Sequence, residues 1–158
     1  YAVDAKLLLK SHSSERKVSI LNFITGPGQI DLKPDEILIK MIIPKEKYDL
    51  NYYKKVGTRK GLTLAKLSFT GLVNYKQDKI ETFRAAFGAV GPTVVRSPKI
   101  EKKVVGRSRE KIPELIPKIL DEYSKIIKPI DDSRSTKEYR HQISLRILEE
   151  FLQNVARH

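Results

Sequence analysis

The stretch that decides the fold is Leu62-Thr-Leu-Ala-Lys-Leu-Ser-Phe-Thr-Gly71-Leu-Val-Asn-Tyr-Lys76, followed by Gln77-Asp78-Lys79 and then Ile80-Glu-Thr-Phe-Arg-Ala-Ala-Phe-Gly-Ala-Val90. The first run alternates well enough to predict one long strand, with Gly71 as the place for a bulge. Gln77-Asp78-Lys79 predicts a tight turn, and the second run pairs back on the first. The small residues of 80–90 predict that something packs closely over that strand. Just upstream, Tyr52–Thr58 can form a strand up to Gly57, which makes three antiparallel strands in a row. The surrounding stretch, Asn51–Leu67, gathers Tyr52, Tyr53, Lys54, Lys55, Arg59 and Lys60 around Gly57 and Gly61. Such a stretch suits nucleic acid, an anionic cofactor or a well-solvated hairpin, because glycine lets the backbone turn or approach a ligand.

Working outward, Val3–Lys10 and Arg16–Ile20 predict a hairpin across a turn at Ser11–Glu15. Gly26-Pro27-Gly28 is a loop, and Leu32–Asp35 a turn. Glu36–Ile43 is a largely apolar strand stopped by Pro44, and Lys45–Leu50 looks like a crossing between two units. On the other side, Gly91-Pro92 ends the third strand and Thr93–Arg96 is a short extended piece. Pro113 and Pro117 should not share one regular helix, since Pro117 lacks the amide that bonds back to residue 113. A helix is expected to start near Pro117 and run to Ile127, with Pro129 ending it. Ser135-Thr-Lys-Glu138 has the form of a capping box, with Ser135 at the N-cap. Tyr139, Ile143, Ile147, Leu148, Phe151, Leu152 and Val155 then recur at helical spacing, with Arg140, Arg146, Glu149, Glu150 and Gln153 largely outside that stripe. The order of elements predicts the α+β class, an antiparallel sheet with helices packed on one face.

A chain of 158 residues is one ordinary domain, or a small domain plus part of another. With 40% apolar and 32% charged residues, a globular soluble class is expected. The absence of cysteine excludes disulfides, thiolate zinc sites, a cysteine nucleophile and an iron–sulfur cluster carried by this chain. No apolar run approaches the roughly 18 residues that cross a bilayer, no secretory pattern opens the chain, and a cytoplasmic location is expected. The sequence begins at Tyr1 rather than Met, which fits a processed chain or a fragment. The formal net charge of +12 raises nucleic acid as a partner, with Tyr52 and Tyr53 as stacking platforms, but the basic residues are spread over the whole chain.

A self-contained hydrolytic site is not visible. His12, His141 and His158 have no metal-ligand partner three to five residues on, and His141 is expected at the surface. Asp131-Asp132 is a turn before a helix rather than a metal pair. Gly88-Ala-Val-Gly91 follows a strand but opens no helix, so it is no dinucleotide fingerprint.

Five pieces occur in a telling order. They are Asp4-Ala-Lys with Arg16-Lys-Val and Phe23-Ile-Thr-Gly26; Leu32-Lys-Pro-Asp-Glu-Ile-Leu38 with Ile43-Pro44; Tyr53-Lys-Lys55-Val-Gly-Thr-Arg59 with Leu64-Ala-Lys-Leu67; Phe87-Gly-Ala-Val90 with Arg96; and Pro129-Ile-Asp-Asp132-Ser-Arg134-Ser-Thr-Lys-Glu-Tyr139-Arg140. Together they resemble the C-terminal portion of the FAD-binding (medium) subunit of the molybdenum hydroxylases, the family of xanthine dehydrogenase and carbon monoxide dehydrogenase. The resemblance implies that residues 1–45 are the last strands of a FAD-binding domain and residues 46–158 the small C-terminal α+β domain. It implies an oxidoreductase subunit that passes electrons from iron–sulfur clusters through FAD to an acceptor such as NAD. A molybdenum–pterin large subunit and a 2Fe-2S small subunit would be its partners, and no membrane is involved. The glycine-rich segment for the FAD pyrophosphate belongs to an N-terminal part outside this sequence, so this chain alone is expected to be inactive. Two positions carry over: Leu38 as the apolar residue that packs on the flavin, and Lys55 as the lysine that reaches the flavin edge. Read from the residues alone, Leu38 is an ordinary buried strand residue and Lys55 one of many lysines, with Lys54 its neighbour on the opposite face of a strand. Arg59 and Lys60 would border the open face of the flavin, where a nicotinamide nucleotide approaches. Arg134 and Arg140 would organise the start of the last helix or a subunit contact.

Overall fold

A computed structural model of the chain describes residues 1–59 and 62–158. Lys60 and Gly61, both singled out above, lie outside the described residues. The chain divides into two compact units, Tyr1–Lys47 and Tyr48–His158.

The first unit is built on the hairpin of β1 (Lys6–Lys10) and β2 (Glu15–Ser19), antiparallel with Leu7 opposite Val18. A later strand, β5 (Ile37–Ile42), joins the other edge of β1, giving the order β2-β1-β5. Leu7 and Leu9 alternate inward and meet Phe23, with Val18, Ile20 and Leu32 against them. Phe23 comes from a single helical turn, α1 (Ile20–Phe23), which Ser19 caps by accepting the Leu21 amide at 3.3 Å. A small hairpin, β3 (Ile24–Gly26) and β4 (Gln29–Ile30), turns at Pro27-Gly28, where Gly28 takes the φ of +67° that a side chain resists. Arg16 fixes the approach to β5. Its Nε and Nη2 donate to the Glu36 carboxylate at 2.7 and 2.8 Å, and Nη1 donates to Asp31 at 2.8 Å.

The second unit holds a four-stranded antiparallel sheet in the order β6-β7-β8-β9, from β6 (Leu50–Val56), β7 (Leu67–Lys76), β8 (Lys79–Gly88) and β9 (Val95–Arg96). Phe69 sits opposite Phe87, Gly71 opposite Ala85 and Val73 opposite Phe83, so one face of the central pair is apolar. Two helices cover that face, α3 (Ile112–Ile126) and α4 (Lys137–Arg157), after one short helix, α2 (Pro98–Glu101), and a 3₁₀ turn. Tyr123 of α3 lies 5.5 Å from the Phe87 ring, and Phe151 of α4 lies 5.3–5.7 Å from Phe69, Phe83 and Tyr52. The fold class is therefore α+β, with the helices on one face of the sheet.

Five local expectations are corrected. The long strand begins at Leu67 rather than Leu62, because residues 62–66 form a loop closed by the Lys66 amide on the Val56 carbonyl at 2.7 Å. Leu62 and Leu64 are 94% and 68% exposed, so their alternation does not report a buried face. Gly71 is no bulge; the register shift falls between Asn74 and Tyr75, and a Cβ at Gly71 would run into the Phe151 ring. Pro113 and Pro117 do share one helix. Pro113 sits in the first turn, where its missing amide costs nothing, so only the Pro117 bond is lost. That loss is about 3 kcal/mol, and burial of Ile112, Ile119 and Tyr123 at about 1.5–3 kcal/mol each outweighs it. The N-cap of α4 is Thr136, which accepts the Tyr139 amide at 3.3 Å, while Ser135 bridges back to Asp132.

The fifth correction is Arg140, which is buried in the α4 face rather than outside it. Its Nη2 donates to both oxygens of Asp132, at 2.7 and 2.6 Å, and its Nη1 donates to the Ile130 carbonyl at 3.1 Å. Arg140 thus organises the start of the last helix.

These carboxylates set an acid limit. Hydrogen bonds from Arg16 hold Glu36 down to about 2 from an ordinary 4.5, and those from Arg140 hold Asp132 down to about 2 from 3.8. A carboxyl depressed in the folded state adds stability that is fully present above its unfolded pKa and is lost as pH falls through its folded pKa. Stability is therefore expected to fall between pH about 4.5 and about 2. Urea unfolding across that range checks it: Glu36→Gln should be less stable at neutral pH and show a shallower decline, and an unchanged slope would contradict the assignment.

Candidate functional site

The site residues sit on two strands. Leu38 lies on β5, opposite Leu9 of β1. It is 44% exposed, and Ile37, Ile39, Met41 and Ile43 are exposed with it. An apolar strand of this composition is expected to be covered, yet Leu38 is not a core residue of its own unit. Surface of this kind suits contact with another apolar group.

Lys55 lies on β6, opposite Ser68 of β7, and Lys54 lies opposite Phe69. Because side chains alternate along a strand, the two lysines leave the sheet on opposite faces. Leu50, Tyr52 and Val56 pack towards the helices. Lys54 belongs to that set, and its ammonium donates to both oxygens of Glu150 on α4, at 2.8 and 3.2 Å. That bond holds Lys54 above and Glu150 below their ordinary pKa ranges. Lys55 is exposed on the other face, with Tyr53 two residues before it, and has no ion-pair partner among the described residues. The sheet thus fixes one lysine and leaves its neighbour to meet something else. The sequence gives no local sign of this difference, since the partner that separates them is 96 residues away.

The loop after β6 turns Arg59 back on itself: Nε and Nη2 donate to the Leu62 carbonyl at 2.9 and 2.7 Å. Thr58, Arg59, Leu62, Thr63, Leu64 and Arg134 line a cavity of about 380 Å³. His141 is half-buried rather than fully at the surface, its Nε2 lying 3.1 Å from the Ser124 hydroxyl. Among the described residues no cluster of histidine and carboxylate side chains could hold a metal, and no helix is long and apolar enough to cross a membrane.

Beyond the end of β9, the next amide of β8, Ala85, donates to the Glu101 carboxylate of α2 at 3.0 Å. Glu101 also holds the buried Arg96 guanidinium at 2.8 and 3.0 Å. Neither α2 nor this pair was evident in the sequence. Pro98 directly after Ser97, with Glu three residues further on, is the signal that could have found the helix.

An antiparallel sheet with helices on one face defines a domain of α+β class. The chain belongs to the family of the CO dehydrogenase flavoprotein C-terminal domain, which it matches over residues 51–155. It is 30% identical over 142 residues to the glyceraldehyde dehydrogenase medium chain of Sulfolobus acidocaldarius, covering 90% of this chain and 50% of that one. It is 30% identical over 95 residues to a putative xanthine dehydrogenase FAD-binding subunit of Escherichia coli K12, covering 59% and 32%. The fold also resembles carbon monoxide dehydrogenase from Hydrogenophaga pseudoflava, with a TM-score of 0.81, 20% identity, and coverage of 94% of this chain and 51% of that one. The chain thus spans about half the length of the first of these relatives. It is related to FAD-binding subunits of molybdenum hydroxylases.

Proposed function

We propose that this chain is the C-terminal part of a FAD-binding subunit of a molybdenum-containing hydroxylase or dehydrogenase, with residues 1–45 completing a FAD-binding domain and residues 46–158 forming the C-terminal α+β domain that follows it in the sequence. Lys55 carries the reading. The side chains present fit a flavin: an exposed leucine offers an apolar contact, and a solvent-facing ammonium on a rigid strand offers positive charge. When bound, FAD would supply two-electron chemistry between the iron–sulfur clusters of a partner subunit and an acceptor such as NAD. The Lys55 ammonium would hold the edge of the flavin and offer positive charge to it. Leu38 packs on the ring and excludes water. A molybdenum–pterin subunit oxidises the substrate, the remaining FAD contacts come from an N-terminal part, and this chain has no activity by itself.

The pairing of Lys54 with Glu150 makes the test sharp. In the natural polypeptide that carries this sequence, Lys55→Ala is expected to weaken FAD binding or slow flavin reduction by about tenfold or more, the value of one charge-assisted contact. Lys54→Ala loses a half-exposed ion pair worth at most about 1 kcal/mol of stability and leaves FAD binding nearly unchanged. Equal effects of the two variants defeat the assignment of Lys55.

A further inference from the structure

The register of the second sheet places Lys55 in a row with two residues that no local pattern singles out. Lys55 of β6 sits opposite Ser68 of β7, and Ser68 sits opposite Gly88 of β8. Residues directly opposite one another share a face of the sheet, so all three lie on the face away from the helices. The row also lies at one end of the sheet. Residue 55 is next to last in β6, residue 68 second in β7, and residue 88 last in β8.

Gly88 is there for space rather than for backbone conformation. Its φ is not among the positive values, which fall at Gly28 and Gly106, so any residue could adopt this strand backbone. A Cβ at Gly88 would stand 2.5 Å from the Ser68 Oγ, too close for any real contact. The missing side chain therefore seats the Ser68 hydroxyl. A glycine inside a strand weakens it, and its usual reason is a bulge or a close approach by another group. The register is regular at this row, since the shift between β7 and β8 falls at Asn74 and Tyr75. The seated hydroxyl is half-buried, yet it makes no hydrogen bond among the described residues. A space kept for a hydroxyl that bonds nothing in the protein calls for a partner from outside it.

The chemistry of the row suits one partner. The Lys55 ammonium can only donate, whereas a serine hydroxyl donates and accepts. The pyrimidine edge of an isoalloxazine ring carries carbonyl oxygens on either side of an N–H group, so it can use both. We propose that the Ser68 hydroxyl is a second flavin contact, hydrogen-bonded to the ring edge that Lys55 meets, and that residue 88 is glycine to give that hydroxyl its place. The inference rests on the flavin reading of Lys55 and adds to it a residue that sets how the ring is held.

The test follows FAD affinity by flavin fluorescence in the natural polypeptide that carries this sequence, with the melting temperature measured in parallel. Ser68→Ala is expected to weaken FAD binding about fivefold, the size of one neutral hydrogen bond. Its melting temperature should be unchanged, because the hydroxyl holds no other part of the protein. Gly88→Ala displaces the same hydroxyl and should weaken FAD binding to a similar degree. In the double variant of Ser68→Ala and Gly88→Ala, the new methyl group meets only the residue-68 Cβ, at 3.9 Å, which is an ordinary contact. Its affinity should therefore match that of Ser68→Ala alone. Thr82→Ala removes a hydroxyl from the same face, opposite Asn74 and about 20 Å along the sheet; it should bind FAD as the unaltered protein does. Ser68→Ala binding FAD as tightly as the unaltered protein overturns the inference, as does a double variant weaker than Ser68→Ala. If Lys55→Ala weakens FAD binding and Ser68→Ala does not, the role of Ser68 falls and the flavin reading stands. If the unaltered protein binds no FAD, both fall.

Discussion

Replacing Phe151 by alanine is expected to cost about 3–5 kcal/mol of stability, a large share of the roughly 5–15 kcal/mol of a typical domain. The ring is fully buried and sits among Phe69, Phe83 and Tyr52, so it is the point where α4 meets three strands. Its seat is made by Gly71, whose missing side chain leaves the space that the ring fills. That geometry predicts strong coupling. Gly71→Ala alone pushes a methyl group into the ring and destabilises the unit by about 1–3 kcal/mol. In a Phe151→Ala background the same methyl group enters an emptied space, and the second substitution should cost little or partly restore stability. Urea unfolding of the two single variants and the double variant measures the coupling. Additive effects would mean that Gly71 is there for its backbone alone.

The second large effect concerns the far edge of the sheet. Glu101→Ala is expected to cost about 3–5 kcal/mol, because it removes the carboxylate from a buried ion pair. Glu101 and Arg96 expose 6% and 3% of their side chains, and the same carboxylate accepts the Ala85 amide. Burial holds Arg84 below the ordinary guanidinium range, Arg96 adds to that effect and Glu101 relieves it. Losing Glu101 therefore removes a carboxylate that offsets the repulsion between Arg84 and Arg96. Glu101→Gln keeps an oxygen for the amide and should cost distinctly less than the alanine variant. Matching unfolding midpoints for Glu101→Ala and the unaltered chain would contradict this account of the edge.

The sheet was legible because its signals are local. The alternation of Leu67–Lys76 and the turn at Gln77-Asp78 determine a hairpin without reference to the rest of the chain. The apolar stripe of α4 was legible for the same reason. Errors arose where a tertiary partner overrides a local rule. Pro117 stays inside α3 because three buried side chains outweigh one lost hydrogen bond. Arg140 is buried because Asp132 and the Ile130 carbonyl satisfy it, although its charge suggested the solvent side. Leu62 and Leu64 alternate like strand residues but lie in a loop, since periodicity says nothing about which alternating residues find a core.

The candidate site divides in the same way. Leu38 and Lys55 were reached through resemblance to a family, and no local pattern distinguished Lys55 from Lys54. Their difference comes from Glu150 on a helix that follows much later in the chain. The cavity between Arg59 and Arg134 joins residues 75 apart in sequence, so it could not be read from spacing.

The central claim is that Lys55 stands on one wall of a flavin site. The most direct measurement is a titration of FAD, followed by flavin fluorescence, into the natural polypeptide that carries this sequence, unaltered and with Lys55→Ala or Lys54→Ala. The account predicts that the unaltered protein binds FAD, that Lys55→Ala binds it about tenfold or more weakly, and that Lys54→Ala binds it almost as well as the unaltered protein. Absence of FAD binding by the unaltered protein, or the same affinity in both variants, would contradict it.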